Sequence, residues 1–276
     1  MLKNIIKIIG MCLVLFVIVV FSQNLAVLWH LLDLKGVEYL LHGVTYGVIF
    51  IFLIKLLIYK GLKKDWAYFR VKRFSGLRFC IMLGVLLPVF VIAIYIIFVP
   101  GVFYWTPIGK VTDYSAMLIE AVFIGGIVAP IVEEMMFRGV LLKYIEVKTN
   151  RVWAIGVTSV LFGFIHLFNG KLVGLDFVLL VLGGTMVGVM FGITVYTFNS
   201  IWASVILHAL WNITGGLLPM VTSKSDYGIV QYVIQSHNPL VTGGQYGIDA
   251  SLISILGYAS VILMMLYRQR TAKVNM

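Results

Sequence analysis

Glu133 and Glu134 stand side by side in the string EEMMFR, with Arg138 four residues after the second acid. The flanking residues are almost all apolar, and carboxylates at bilayer depth are costly unless they are paired or line a wet cavity. On a helix, consecutive residues point about 100° apart, so the two acids cannot squarely face one partner. Arg138 lies at i+4 from Glu134, with the acid N-terminal to the base, which makes Glu134–Arg138 the natural ion pair. Glu133 has no cation on its own helix. An unpaired carboxylate at that depth suits general-base chemistry. Read alone, the cluster serves equally well to pin helices together.

Two other apolar segments each carry one histidine. In TSVLFGFIHLF, Phe162 and His166 are spaced i, i+4; in SIWASVILHALWN, His208 and Asn212 are spaced the same way. Taken singly, His166 reads as a structural residue. His208 and Asn212 project together, and both side chains can hydrogen-bond a carbonyl oxygen. Depth allows these groups to meet. At 1.5 Å per residue, Glu133 lies roughly 15 Å above Lys143, His166 roughly 22 Å above Arg151 and His208 roughly 12 Å above Ser200. Helix tilt can close the remaining spread of about 10 Å. His30, His42 and Glu120 lie elsewhere and read as structural or interfacial.

Positioning these groups requires membrane helices. Hydrophobic residues make up 61% and charged residues 12% of the 276, about half the charge of a soluble domain. Eight segments approach the length needed to span a bilayer: about 8–32, 37–59, 79–99, 115–142, 152–169, 177–198, 201–221 and 250–267. The expected fold class is therefore all-α and polytopic, one transmembrane domain over 1–276. It comprises N-terminal helices over about 8–99, a four-helix core over about 115–215 and a C-terminal helix over about 250–267. The net charge of +10 does not point to nucleic acid. With eight spans and a cytoplasmic N-terminus, 15 of the 21 Lys and Arg fall on inner flanks. Only Lys35, Lys110, Lys171 and Lys224 fall outside, which is the positive-inside pattern. Cys12 and Cys80 have no CxxC neighbour, so no disulfide framework or thiolate metal site is expected. Gly184, Gly188 and Gly192 form a small-xxx-small ladder that lets two helices pack closely; a homodimer face is the alternative use.

The three motifs resemble those of the CPBP family, named for CAAX proteases and bacteriocin-processing enzymes and also called Abi: EExxxR, FxxxH and HxxxN. They stand here as Glu133-Glu134-Met-Met-Phe-Arg138, Phe162-Gly-Phe-Ile-His166 and His208-Ala-Leu-Trp-Asn212, in order, each on its own helix. The resemblance covers about 115–215 and implies an intramembrane endopeptidase. Carried over by position, Glu133 with His166 activates a water, His208 and Asn212 stabilise the oxyanion, and Glu134 with Arg138 supports the site. Zn²⁺ held by Glu133, His166 and His208 is compatible with this donor set. The HExxH signature is absent, and the expectation is a glutamate-dependent site with no obligatory cofactor.

The expected function is hydrolysis of a peptide bond in a membrane-associated peptide or protein, in CAAX-like processing, bacteriocin or signal-peptide maturation, or self-immunity. The expected partners are that substrate and the lipid bilayer, not nucleic acid. The expected location is a bacterial plasma membrane with both termini cytoplasmic. A non-enzymatic scaffold binding a sensor kinase or bacteriocin receptor is the main alternative. A transporter with a carboxylate proton relay would bring inverted repeats, and the sequence contains no repeat at a fixed period.

Overall fold

Long apolar runs wind into helices because, in lipid, a backbone has to satisfy its hydrogen bonds internally. A computed structural model describes residues 2–34, 36–107, 109–169 and 174–274. Helix α1, Leu2–Val27, continues through a 3-10 turn to Leu32, and α2, Val37–Leu56, ends in a π turn at Gly61. Then come α3, Leu77–Phe98, and strand β1, Gly101–Trp105. The unbroken helix α4 runs over Val111–Lys148. It is followed by α5, Arg151–Ile165, α6, Leu175–Phe198, and α7, Trp202–Leu217. Strands β2, Met220–Val221, and β3, Val230–Ile234, precede the last helix, α8, Leu252–Val274. Of the residues used above to orient the chain, Lys35 and Lys171 lie outside the described residues.

Among the described residues, six helices are long and apolar enough to cross a membrane: α1 with its extension, α2, α3, α4, α6 and α8. The chain is an all-α polytopic integral membrane protein, but the expected count of eight full spans is corrected at two places. Helix α5 has 15 residues and α7 has 16, lengths of about 22 and 24 Å against a hydrocarbon core of about 30 Å. Helix α5 stops at Ile165 because His166–Asn169 tightens into a 3-10 turn. Helix α7 stops at Leu217 because Gly215 and Gly216 weaken it and Pro219 cannot continue it. Residues 220–221, expected to be helical, form β2 instead. The resulting three-stranded sheet has the order β1-β3-β2. Strand β1 runs antiparallel to β3, from Gly101↔Ile234 to Trp105↔Val230. Strand β2 runs parallel to β3, with Met220↔Tyr232 and Val221↔Val233. The Tyr232 hydroxyl donates to the Val99 carbonyl at 2.7 Å, tying the sheet to the end of α3.

Polarity is arranged for lipid. Large apolar side chains point outward along α1 (Ile9, Leu13, Val17), α3 (Val89, Phe90, Ile97) and α8 (Leu256, Leu263), while Ser22, Thr158, Ser159, Thr194, Ser204 and Ser254 are buried. A hydrocarbon solvent imposes this sorting, since polar groups gain nothing by facing it. The basic segment after α2 folds back on the protein. Arg70, held at φ +62°, pairs with Glu146 at 2.7 Å, and its carbonyl accepts from the Ile201 amide at 3.0 Å.

Helices α5 and α6 pack through the glycine ladder. A Cβ on Gly184 would lie 2.6 Å from the Gly163 Cα, and one on Gly188 would lie 2.8 Å from the Ser159 Cα. Gly192 faces Ile155 at ordinary contact distance. The turn into α7 needs a left-handed residue, supplied by Asn199 at φ +50°, a residue type that tolerates this conformation. Gly184→Leu is therefore expected to force α5 and α6 apart and to lower the detergent-solubilised melting midpoint, at a cost of about 1–3 kcal/mol. Gly192→Ala, at the wider end of the ladder, should cost much less in the same melt.

Candidate active site

The glutamates sit on a helix that is wound unusually on either side of them. Helix α4 is π-wound over Ile119–Val128, α-helical over Ala129–Glu134 and π-wound again over Met135–Leu141. Such π segments concentrate at functional sites. In the first, the Ala129 amide bonds back five residues to the Ile124 carbonyl. By the same step, the Gly125 carbonyl would take its bond from residue 130, which is Pro130 and has no N–H. Asn212 fills that position: its side-chain amide donates to the Gly125 carbonyl at 2.9 Å. Asn212 thus fastens α7 to α4 through a backbone group that the helix itself cannot satisfy. This anchoring role was not legible from its HxxxN spacing.

The two acids separate as helical geometry requires. The side chain of Glu134 is fully buried, whereas that of Glu133 keeps 28% of its surface accessible. Glu134 Oε1 accepts from Arg138 Nη1 at 3.0 Å and contacts His208 Nδ1 at 3.2 Å. The guanidinium of Arg138 also donates through Nη2 to the Gly188 carbonyl at 3.3 Å. Its Cζ lies 4.2 Å from the centroid of the Phe162 ring and 5.2 Å from that of Phe191. A buried cation is tolerated only with such pairing, and the aromatic faces add cation–π attraction.

His208 lies between both glutamates. Glu134 is an acceptor, so Nδ1 carries the proton and Nε2 presents a lone pair. His208 Nε2 stands 3.9 Å from Glu133 Oε2, and that oxygen has no hydrogen-bond partner among the described residues. Phe191 stacks on the imidazole at 4.8 Å and 22°. His166, at the C-terminal end of α5, contacts the Phe162 carbonyl through Nδ1 at 2.7 Å. It satisfies one of the carbonyls that a helix end leaves open, and its Nε2 makes no hydrogen bond among the described residues. The expected pairing of Glu133 with His166 is thus modified: the imidazole beside Glu133 is His208.

Glu133, His166, His208 and Asn212 all line one cavity of about 720 Å³. Part of its wall comes from a loop that motif reading missed. The segment Gly243–Ser251 carries Tyr246, whose ring meets that of His166 edge-on at 6.0 Å. It also carries Asp249, whose Oδ1 accepts from Trp211 Nε1 at 3.0 Å. Asp249 is enclosed by protein yet accessible from the cavity. Enclosure pushes its carboxyl above the usual carboxylate range, against the opposing effects of the Trp211 hydrogen bond and of His166 and His208. Gly243, at φ +77°, makes the turn that a side chain would block. The signal in the sequence was GGQYGIDA, a glycine-punctuated loop between apolar stretches. Among the described residues, no three His, Cys, Asp or Glu are gathered so as to hold a metal ion.

Arg138→Ala should destabilise the protein by about 3–5 kcal/mol, because it strands Glu134 without its cation; a melt in detergent would show the loss. Asn212→Ala leaves the Gly125 carbonyl without its donor and should cost about 1–3 kcal/mol. Asn212→Asp, which sets one acceptor against another, should be no better.

No curated protein and no solved structure matches the chain. The stretch that matches a family model is 115–214, which spans most of α4 and runs on through α5, α6 and most of α7, covering all three motifs and stopping before β2. Over residues 115–214 the chain is similar to the type II CAAX prenyl endopeptidase Rce1-like family.

Proposed function

We propose that the chain is an intramembrane endopeptidase that hydrolyses a peptide bond of a membrane-associated peptide or protein. The observation that carries this reading is Glu133, which lines the cavity together with His208 and whose Oε2, without a hydrogen-bond partner among the described residues, lies 3.9 Å from the His208 Nε2. A carboxylate and a lone-pair nitrogen converging on one cavity wall can hold and deprotonate a water. The hydroxide adds to the scissile carbonyl, and the proton taken up passes to the leaving nitrogen as the C–N bond breaks. The products are a carboxylic acid and an amine.

The other residues support that step. While neutral, His208 cannot donate from Nε2. Once it takes up a proton, it becomes a donor flanked by two carboxylates and can stabilise the oxyanion. Asn212 spends one N–H on Gly125 and has a second to offer the same oxygen. His166, whose Nε2 makes no hydrogen bond among the described residues, orients substrate or accepts a proton. Glu134 and Arg138 hold His208 in place. The family description directs the first substrate trial to prenylated CAAX peptides.

Comparing membrane-associated peptides in cells carrying the wild type and Glu133→Gln tests this reading. The variant should fold, because Glu133 pairs with no cation, and it should lose cleavage at least a thousandfold. His208→Ala should lose it as well. Cleavage that survives both substitutions would leave a binding scaffold as the better account. Exhaustive dialysis against a chelator should leave cleavage intact, and loss reversed by added zinc would instead make ligands of Glu133, His166 and His208.

A further inference from the structure

Strand β2 is the edge of its sheet, and that edge lies against the catalytic cavity. In a parallel pair, alternate residues of each strand bond to the neighbour and the residues between them face away. Here the Ile229 amide donates to the Leu217 carbonyl at 2.8 Å and the Tyr232 amide donates to the Pro219 carbonyl at 3.0 Å. With Met220 opposite Tyr232 and Val221 opposite Val233, the odd-numbered residues serve β3. Met220 therefore turns its N–H and C=O to the free side.

The cavity lies on that side. Successive side chains of a strand point to opposite faces of the sheet, so a cavity over one face would touch every second residue. The cavity that holds Glu133 and His208 is lined by Leu218, Pro219, Met220, Val221, Thr222 and Ser223 without interruption. Both residues of β2, which point to opposite faces, and the residues flanking them meet the cavity, which sets it beside the edge. The edge is also held firmly. Gln231 Nε2 donates to Thr106 Oγ1 at 2.9 Å, and its Oε1 accepts from the Ser225 amide at 2.9 Å, fixing the loop after β2 onto the sheet.

Exposed edges are normally blocked, because they recruit another strand. This one is open into the compartment where, on the proteolytic reading, the substrate lies. A scissile amide must be extended for water to reach its carbonyl. We propose that the substrate peptide binds as an extended strand added to the free edge of β2, its main chain bonded to Met220 while its scissile amide lies at Glu133 and His208. Recognition then rests on backbone hydrogen bonds, with selectivity coming from alternate side-chain pockets. The inference rests on the proteolytic reading and adds to it the conformation and footing of the substrate.

The experiment uses the full chain in lipid vesicles and a fluorogenic farnesylated CAAX peptide. Each amide of the peptide upstream of the cleaved bond is N-methylated in turn. Strand addition predicts a rise in KM of tenfold or more at every second position and little change between. Met220→Pro removes one free-edge N–H and no bond to β3, and proline is tolerated on sheet edges. It should raise KM at least tenfold with kcat nearly kept. If Met220→Pro does not fold, the N-methyl series on the wild type decides alone. Cleavage by the wild type without alternation overturns the strand-addition inference and leaves the protease intact. If the wild type leaves the peptide uncut, as Glu133→Gln does, the prenyl-peptide form of the proteolytic reading fails and takes this inference with it.

Discussion

A guanidinium with no access to water organises this protein. Arg138 is fully buried, and the groups that make its burial tolerable come from four helices. Glu134 belongs to its own helix, the Gly188 carbonyl and Phe191 to α6, Phe162 to α5, and His208, through Glu134, to α7. In hydrocarbon, helices gain little by hiding apolar surface from one another. A charge that must be paired therefore has more authority over their arrangement than it would have in a soluble core. The glycines of α6 make the arrangement accessible, because a bulkier residue at 188 would hold α5 away and move Phe162 off the cation.

Around this fixed point the site divides its polar atoms between holding and reacting. Glu134, both imidazole Nδ1 atoms and one N–H of Asn212 are committed to neighbours. Glu133 Oε2 has no hydrogen-bond partner among the described residues, and Glu133, His166 and His208 all line the cavity. Committing one nitrogen of an imidazole sets the tautomer of the other, so the reacting atoms are defined before any substrate arrives. The π winding of α4 belongs to the same scheme. It opens the Gly125 carbonyl, and Asn212 draws α7 onto that opening.

Much of this was legible in the residues. The separation of Glu133 from Glu134 followed from a 100° step per residue, and the Glu134–Arg138 pair from i, i+4 spacing; both stand in the structure. The membrane character followed from composition. What was not legible depended on breaks in regularity. Nothing in a hydropathy window shows that α5 gives way to a 3-10 turn at His166, or that Pro219 turns an apolar run into strand β2. Spacing alone did not tell which imidazole stands beside Glu133; the packing of α7 against α4 brings His208 there. Tyr246 and Asp249 lay beyond the last motif, in a loop whose glycines announce a turn without saying where it goes.

The cavity is built by two stretches of chain with different obligations. Helices α4 to α7 hold the reacting atoms and are tied to one another by a buried charge that tolerates little change. The residues from 218 to 251 meet the same cavity through main-chain edges, a glycine-rich loop and side chains such as Tyr246 and Asp249, outside the matched domain. Alterations in this second stretch would reshape what the cavity admits without disturbing the ion pair beneath it. The boundary near residue 214 thus separates a charge-locked frame from a replaceable jig, and the second could be rebuilt while the first stays as it is.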